Sequence, residues 1–172
     1  MVPSFFLDIP RLRLRKLCPE DLDTMYHATL DYEVMKYIKP VYTDIAQAQA
    51  DLNQYLTYYE KHPGLGVFYM ETHEGEFVGF GTLKHPNPER EEVEVGYRLM
   101  KKFWGQGYAT ELAIALLKYG FEEVGLERII AVARPENKAS LRVMQKAGMT
   151  HIGMSDKFHN ALLVCYEKNK NA

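Results

Sequence analysis

Between Glu94 and Glu111 the chain reads Glu-Val-Gly-Tyr-Arg-Leu-Met-Lys-Lys-Phe-Trp-Gly-Gln-Gly-Tyr-Ala-Thr-Glu. A strand-like stretch runs into two closely spaced glycines and then directly into a helical repeat. The first turn of a helix leaves backbone N–H groups without partners, and the helix dipole places positive potential behind them. Gly105 and Gly107 remove the Cβ atoms that would keep a ligand off this backbone. The arrangement suits a pyrophosphate, although a plain tight turn with glycine at positive φ uses the same residues. The loop has no Gly-Lys-Ser/Thr and no third glycine at dinucleotide-fold spacing.

The flanking segments favour an α/β fold with a mixed sheet. Arg11 to Leu17 alternates basic residues with Leu12, Leu14 and Leu17, the pattern of a half-buried strand. Pro19 opens a helix with Leu22, Met25, Tyr26 and Leu30 as its inner stripe, and a second helix follows Thr43-Asp44, with Ile45, Ala48, Leu52, Tyr55, Leu56 and Tyr59 at helical spacing. Val67 to Thr72, Phe77 to Lys84 and Glu92 to Met100 read as an antiparallel meander. Ala109, Leu112, Ala113, Leu116, Leu117 and Phe121 then trace a helix from about Tyr108, and Glu127 to Ala133 is a strand buried on both faces. Asn137 to Ala147 is a helix closed by Gly148, and Thr150 to Met154 and Leu162 to Glu167 are the last strands. With no repeat, linker or low-complexity segment, residues 1–172 are expected to form one domain with a parallel crossover in its middle.

Composition narrows the partners. The formal net charge of −2 argues against a nucleic-acid partner. No apolar run reaches the length of a membrane span, and the first residues lack the basic and apolar regions of a signal peptide. Cys18 and Cys165 are far apart and in no metal-ligand spacing, so free thiols, a cytoplasmic location and no metal are expected.

Trp104-Gly105-Gln106-Gly107-Tyr108-Ala109 resembles the coenzyme A pyrophosphate loop of the GNAT superfamily, Gln/Arg-x-x-Gly-x-Gly/Ala, with Trp104 where Gln or Arg is usual. Continued through Thr110 and Glu111, it is similar to the RimJ/RimL branch of ribosomal-protein N-acetyltransferases. Asn137, Ser140, Lys146, Gly148 and Met149 match the second GNAT motif in register. Capping roles for Asn137 and Gly148 are compatible with that match.

The resemblance implies the GNAT fold, acetyl-CoA as co-substrate, and acetyl transfer to a primary amine on a small molecule or a protein N-terminus. Cofactor contacts are then expected from Leu99, Met100, Lys102, Trp104, Gly105, Gln106, Gly107, Tyr108, Ala109, Thr110, Asn137, Lys138, Ser140 and Arg142. Glu94 is the candidate general base, directly or through water, with Glu92 on the same strand face. The base matters in proportion to the acceptor. Neutralising an α-amine of pKa near 8 at pH 7 costs about 1.4 kcal/mol, and a lysine-like amine about 4.6 kcal/mol. Many family members use a Tyr seven residues after the Asn as the acid. Here that position is Met144, which leaves Ser140 or water to protonate the thiolate. A backbone N–H near Leu99 or Met100 is the expected carbonyl donor.

Tyr32, Tyr37, Tyr42 and Phe158 are candidates for the acceptor groove, and His85 and His159, in loops, read as surface histidines, with substrate contact as the alternative. The competing function is a non-catalytic acetyl-CoA sensor or scaffold. A nucleotide-binding oxidoreductase is a more distant one. Monomer and homodimer both fit.

Overall fold

Alternation in the first basic segment yields β2 (Leu12–Lys16), with Leu12 and Leu14 fully buried, but Arg15 is buried too. Its guanidinium makes two 2.8 Å bonds to Asp21 and lies 3.9 Å from the Tyr69 ring centroid. The computed structural model describes residues 1–172. Cα packing divides the chain into one unit of Met1–Gly81 with Arg98–Tyr108 and another of Thr82–Tyr97 with Ala109–Ala172.

In the first unit an edge strand, β1 (Phe5–Asp8), pairs antiparallel with β2, which pairs antiparallel with β3 (Gly66–Thr72). β1 is additional to the strands expected from the sequence pattern. Pro19 opens a single 3-10 turn, after which α1 runs only from Leu22 to Ala28. Leu30, assigned to that helix's inner stripe, lies beyond its end and is exposed, while Thr29 is buried and bonds back to the Met25 carbonyl. A four-residue helix, α2 (Tyr32–Met35), is also additional and is capped by the Asp31 carboxylate. α3 (Ile45–Lys61) starts where the Thr43-Asp44 pair predicts, with Asp44 accepting from the Gln47 amide. Ile45, at its first turn, is exposed, and Ala48, Leu52 and Tyr59 form the buried face.

β4 (Phe77–Lys84) and β5 (Val93–Leu99) follow, and the unit division falls inside both. α4 (Tyr108–Tyr119), which belongs to the second unit from Ala109 onward, buries Leu112, Ala113, Leu116 and Leu117. A π-turn over Gly120–Val124 extends it and keeps Phe121 buried. β6 (Arg128–Ala133) is apolar on both faces, as expected of a central strand. α5 (Lys138–Lys146) is capped by Asn137, and β7 (Thr150–Ser155) and β8 (Leu163–Asn169) end the chain. The strand order is β1-β2-β3-β4-β5-β6-β8-β7. β6–β8 and β7–β8 are antiparallel, whereas β5–β6 is parallel, across the α4 crossover. The result is the expected mixed α/β sheet. The parallel ladder joins Val93 to Ile129 and Glu94 to Ile130. No helix is long and apolar enough to cross a membrane. Both cysteines are free and buried.

Candidate active site

In the first unit, β5 ends at Leu99 and a 3-10 turn, Lys101–Phe103, leads into the glycine loop. Gly105 has φ 70° and Gly107 φ 83°, the left-handed region that favours glycine. The loop is braced from within and from β2's side. Trp104 folds back, its Nε1 donating to the Leu99 carbonyl at 2.9 Å. Gln106 Nε2 donates to the Lys102 carbonyl at 2.8 Å. Arg11 Nη1 donates to the Gln106 carbonyl at 2.9 Å, and its guanidinium sits 4.2 Å from the Tyr108 ring centroid.

Trp104 therefore replaces the family's usual polar side chain with a strut, and Arg11 supplies a cation beside the loop. Sequence spacing could not place Arg11 there. α4 starts at Tyr108, so the amides of Tyr108, Ala109 and Thr110 have no intrahelical acceptor. Space for a Cβ is open at Gly105. Positive-φ glycines, helix-start amides and a neighbouring guanidinium fit a pyrophosphate. Lys102 is exposed and paired with Glu76. The Met100 amide donates to the Val78 carbonyl at 2.8 Å and is thereby committed, which leaves Leu99 as the candidate carbonyl donor.

The second unit holds two polar pairs. Glu94 lies on β5 between buried Val93 and Val95, and its Oε2 accepts from His159 Nε2 at 2.7 Å. The Glu94 side chain is 14% exposed and that of His159 46%. His159 belongs to the β7–β8 connection and, like Asn160, has φ 51°. The hydrogen bond to Glu94 raises the imidazole pKa above its ordinary value, against the opposing effect of partial burial. His159 is exposed, as expected of a surface histidine, and its partnership with Glu94, 65 positions away, leaves no local pattern in the sequence. Glu92 forms its own ion pair, accepting from Arg90 Nε at 3.0 Å.

The other pair joins Tyr97 Oη to Ser140 Oγ at 2.9 Å. Burial pushes the Tyr97 phenol up to about 12, partly countered by Ser140. The Ser140 amide donates to Asn137 Oδ1 at 3.2 Å, so Asn137 does cap α5. Met144 is buried on that helix, and Lys138 and Arg142 are exposed.

The four acceptor candidates separate. Tyr32 is 71% exposed and Tyr37 half-buried, whereas Tyr42 is buried and its hydroxyl donates to Asp51 at 2.6 Å. Phe158 packs into a core cluster with Ile130, Leu163 and Cys165, one residue from His159, and anchors that connection.

Comparison with known proteins agrees with this geometry. The profile of the acetyltransferase (GNAT) domain family matches residues 11–150. A curated relative, the FsC-acetyl coenzyme A-N(2)-transacetylase of Aspergillus fumigatus, is 36% identical over 157 residues, covering 85% of this chain. The matched region spans 65% of that relative's length. A GNAT-family acetyltransferase structure from Bacillus anthracis is 32% identical, with TM-score 0.79, covering 98% of this chain and 100% of that one. RimL, a ribosomal alpha-N-protein acetyltransferase in complex with coenzyme A, shares the fold at TM-score 0.81 and 16% identity, covering 96% of this chain and 98% of its own. The chain belongs to the GNAT family of acetyltransferases, enzymes that transfer the acetyl group of acetyl-CoA to an amine.

Proposed function

We propose that residues 1–172 form one acetyltransferase domain of the RimJ/RimL type that acetylates a primary amine by direct attack, with the Glu94–His159 pair as its base. The 2.7 Å contact between those side chains carries the reading. An ionised carboxylate can only accept, so Nε2 donates to Glu94 and Nδ1 is left to take a proton. A carboxylate on one ring nitrogen raises the basicity of the other, which strengthens the imidazole as a base. Glu94 thus acts through His159, and the proton leaves the amine as its nitrogen attacks.

Acetyl-CoA supplies a thioester carbonyl as electrophile. The residues from Trp104 to Thr110 and Arg11 hold its pyrophosphate, and the Leu99 amide polarises the carbonyl. Asn137, Lys138 and Arg142 contribute to the rest of the cofactor. Ser140 gives a proton to the departing thiolate and regains one from solvent water, with the Tyr97 hydroxyl hydrogen-bonded behind it. This arrangement supplies a hydroxyl where Met144 cannot. Two buried free thiols support a reducing, cytoplasmic setting.

An acceptor screen following thiol release from acetyl-CoA tests the proposal. Amine-dependent release is expected, falling about 10²-fold or more in Glu94→Gln. Acetyl-CoA binding without release to any amine would instead identify a sensor module.

A further inference from the structure

β5 carries a guanidinium that the protein itself leaves largely unpaired. Arg98 is 9% exposed. Its Nε has no hydrogen-bond partner. Nη1 meets only the thioether of Met35, at 3.4 Å, and thioether sulfur is a weak acceptor. The group lies 4.6 Å from the Phe80 ring centroid. Its other electrostatic neighbours are Tyr55, Tyr42 and Asp51, all within the first unit.

Asp51 is the one carboxylate in this cluster, and it is already engaged. Its Oδ2 accepts from Lys39 Nζ and from the Tyr42 hydroxyl. Two cations, Arg98 and Lys39, therefore face one anion, a surplus of one positive charge. Burying a charge without a counterion is costly, and an arginine confined to packing would be better replaced by an aliphatic residue. The buried Arg15 shows how this chain satisfies a guanidinium when it means only to build structure, with two bonds to Asp21. The Arg98 cluster is also not sealed, because the Lys39 and Asp51 side chains remain 31% and 27% exposed. Tyr55 is half-buried.

We infer that Arg98 receives the carboxylate of the acceptor, so the acceptor is an amino-acid-type molecule with an acidic group close to its amine. A carboxylate matches the planar guanidinium fork with two parallel hydrogen bonds. It would satisfy the orphaned Nε and cancel the surplus charge in one contact. A polyamine would add to that surplus. Arg98 adjoins Leu99, whose amide is assigned to the thioester carbonyl, so an α-carboxylate on Arg98 keeps the amine near the reacting centre. The acceptor role rests on the acetyl-transfer reading above, whereas the affinity of Arg98 for a carboxylate does not.

Two measurements separate those claims. In the first, the twenty amino acids and their carboxamides are compared as acceptors by thiol release from acetyl-CoA. The acid form of the accepted pair is expected to exceed its amide at least about tenfold in kcat/KM. Arg98→Met should bring the acid down to the amide's level, and Arg98→Lys, which keeps charge without the fork, should fall between. Equal use of acid and amide by the native protein overturns the inference, whether or not the variants fold. In the second, the Arg98 Nε–H resonance is followed by NMR as sodium propionate is added, with propionamide as the control. A saturable shift with propionate alone is expected, and equal or absent responses to the two overturn it. If no amine is acetylated but propionate still shifts Arg98, the acetyl-transfer reading fails and the carboxylate site stands.

Discussion

Nε2 of His159 donates a 2.7 Å hydrogen bond to the Glu94 carboxylate across 65 positions of sequence, joining a loop histidine to the strand that leads into the glycine loop. The pair makes a definite statement about pH. Glu94 raises the His159 pKa, and a base must be neutral to act, so activity is lost as pH falls through that raised value. Replacing Glu94 by Gln removes the charge that holds the pKa up. The acid limb of kcat/KM should then move to lower pH while the plateau drops. A limb that stays in place in Glu94→Gln would show that His159 is not the titrating base.

Tyr97→Phe tests the second polar pair. The phenol, held near 12 by burial, stays protonated at working pH and can support Ser140 throughout. Losing it should lower kcat about tenfold, less than the 10²–10⁴ of a group that itself transfers the proton. Coenzyme A affinity should not move, because the phenol contacts Ser140 Oγ and not the pyrophosphate loop. Ser140→Ala should give the larger kcat loss of the two. The reverse ranking would assign the donor role to Tyr97.

The buried Arg15–Asp21 pair makes a prediction for stability. Burial pushes the Asp21 pKa up, but the Arg15 guanidinium and the Cys18 amide more than reverse this, and it ends below the ordinary carboxylate value. A depressed folded pKa gives stability that is present above the unfolded pKa and lost as pH falls through the folded one. Asp21→Asn leaves Arg15 charged and unpaired and should cost about 3–5 kcal/mol in denaturant unfolding at neutral pH. It should also remove the acid-dependent part of the loss seen in the native protein. A cost below about 1 kcal/mol, the scale of an exposed pair, would mean that the bridge is not desolvated.

The parts of this molecule written in local pattern were legible before the structure. Phe77–Lys84 is a strand with the expected ends. Asp44 and Asn137 cap the helices that their positions announce, each accepting a backbone N–H at 3.2 Å. β1 escaped because Phe5-Phe6-Leu7-Asp8 does not alternate and is held by its pairing with β2. α2 escaped because four residues cannot show a helical period, although Asp31 was a visible cap.

In the candidate site, the glycine loop and the place of Glu94 on its strand were readable from local pattern, and their candidate roles from family resemblance, whereas the contacts that brace them were not. Arg11 reaches Gln106 across 95 positions and Tyr97 reaches Ser140 across 43. Contacts so distant in sequence leave no periodic trace. Arg98 was hidden for a different reason: alternation along β5 does not reveal a buried cation whose Nε has no hydrogen-bond partner.

Calorimetric titration of coenzyme A into the native protein and into Gly107→Ala tests the central claim, that the loop from Trp104 to Thr110 holds the cofactor's pyrophosphate. At position 107 a Cβ would sit at φ 83° and 3.3 Å from Arg11 Nη2, so alanine must strain the backbone or displace the guanidinium. The expected result is one coenzyme A per native chain and at least about tenfold weaker binding by the variant, a difference of about 1.4 kcal/mol. No heat with the native protein, or equal affinity in both, would contradict the account.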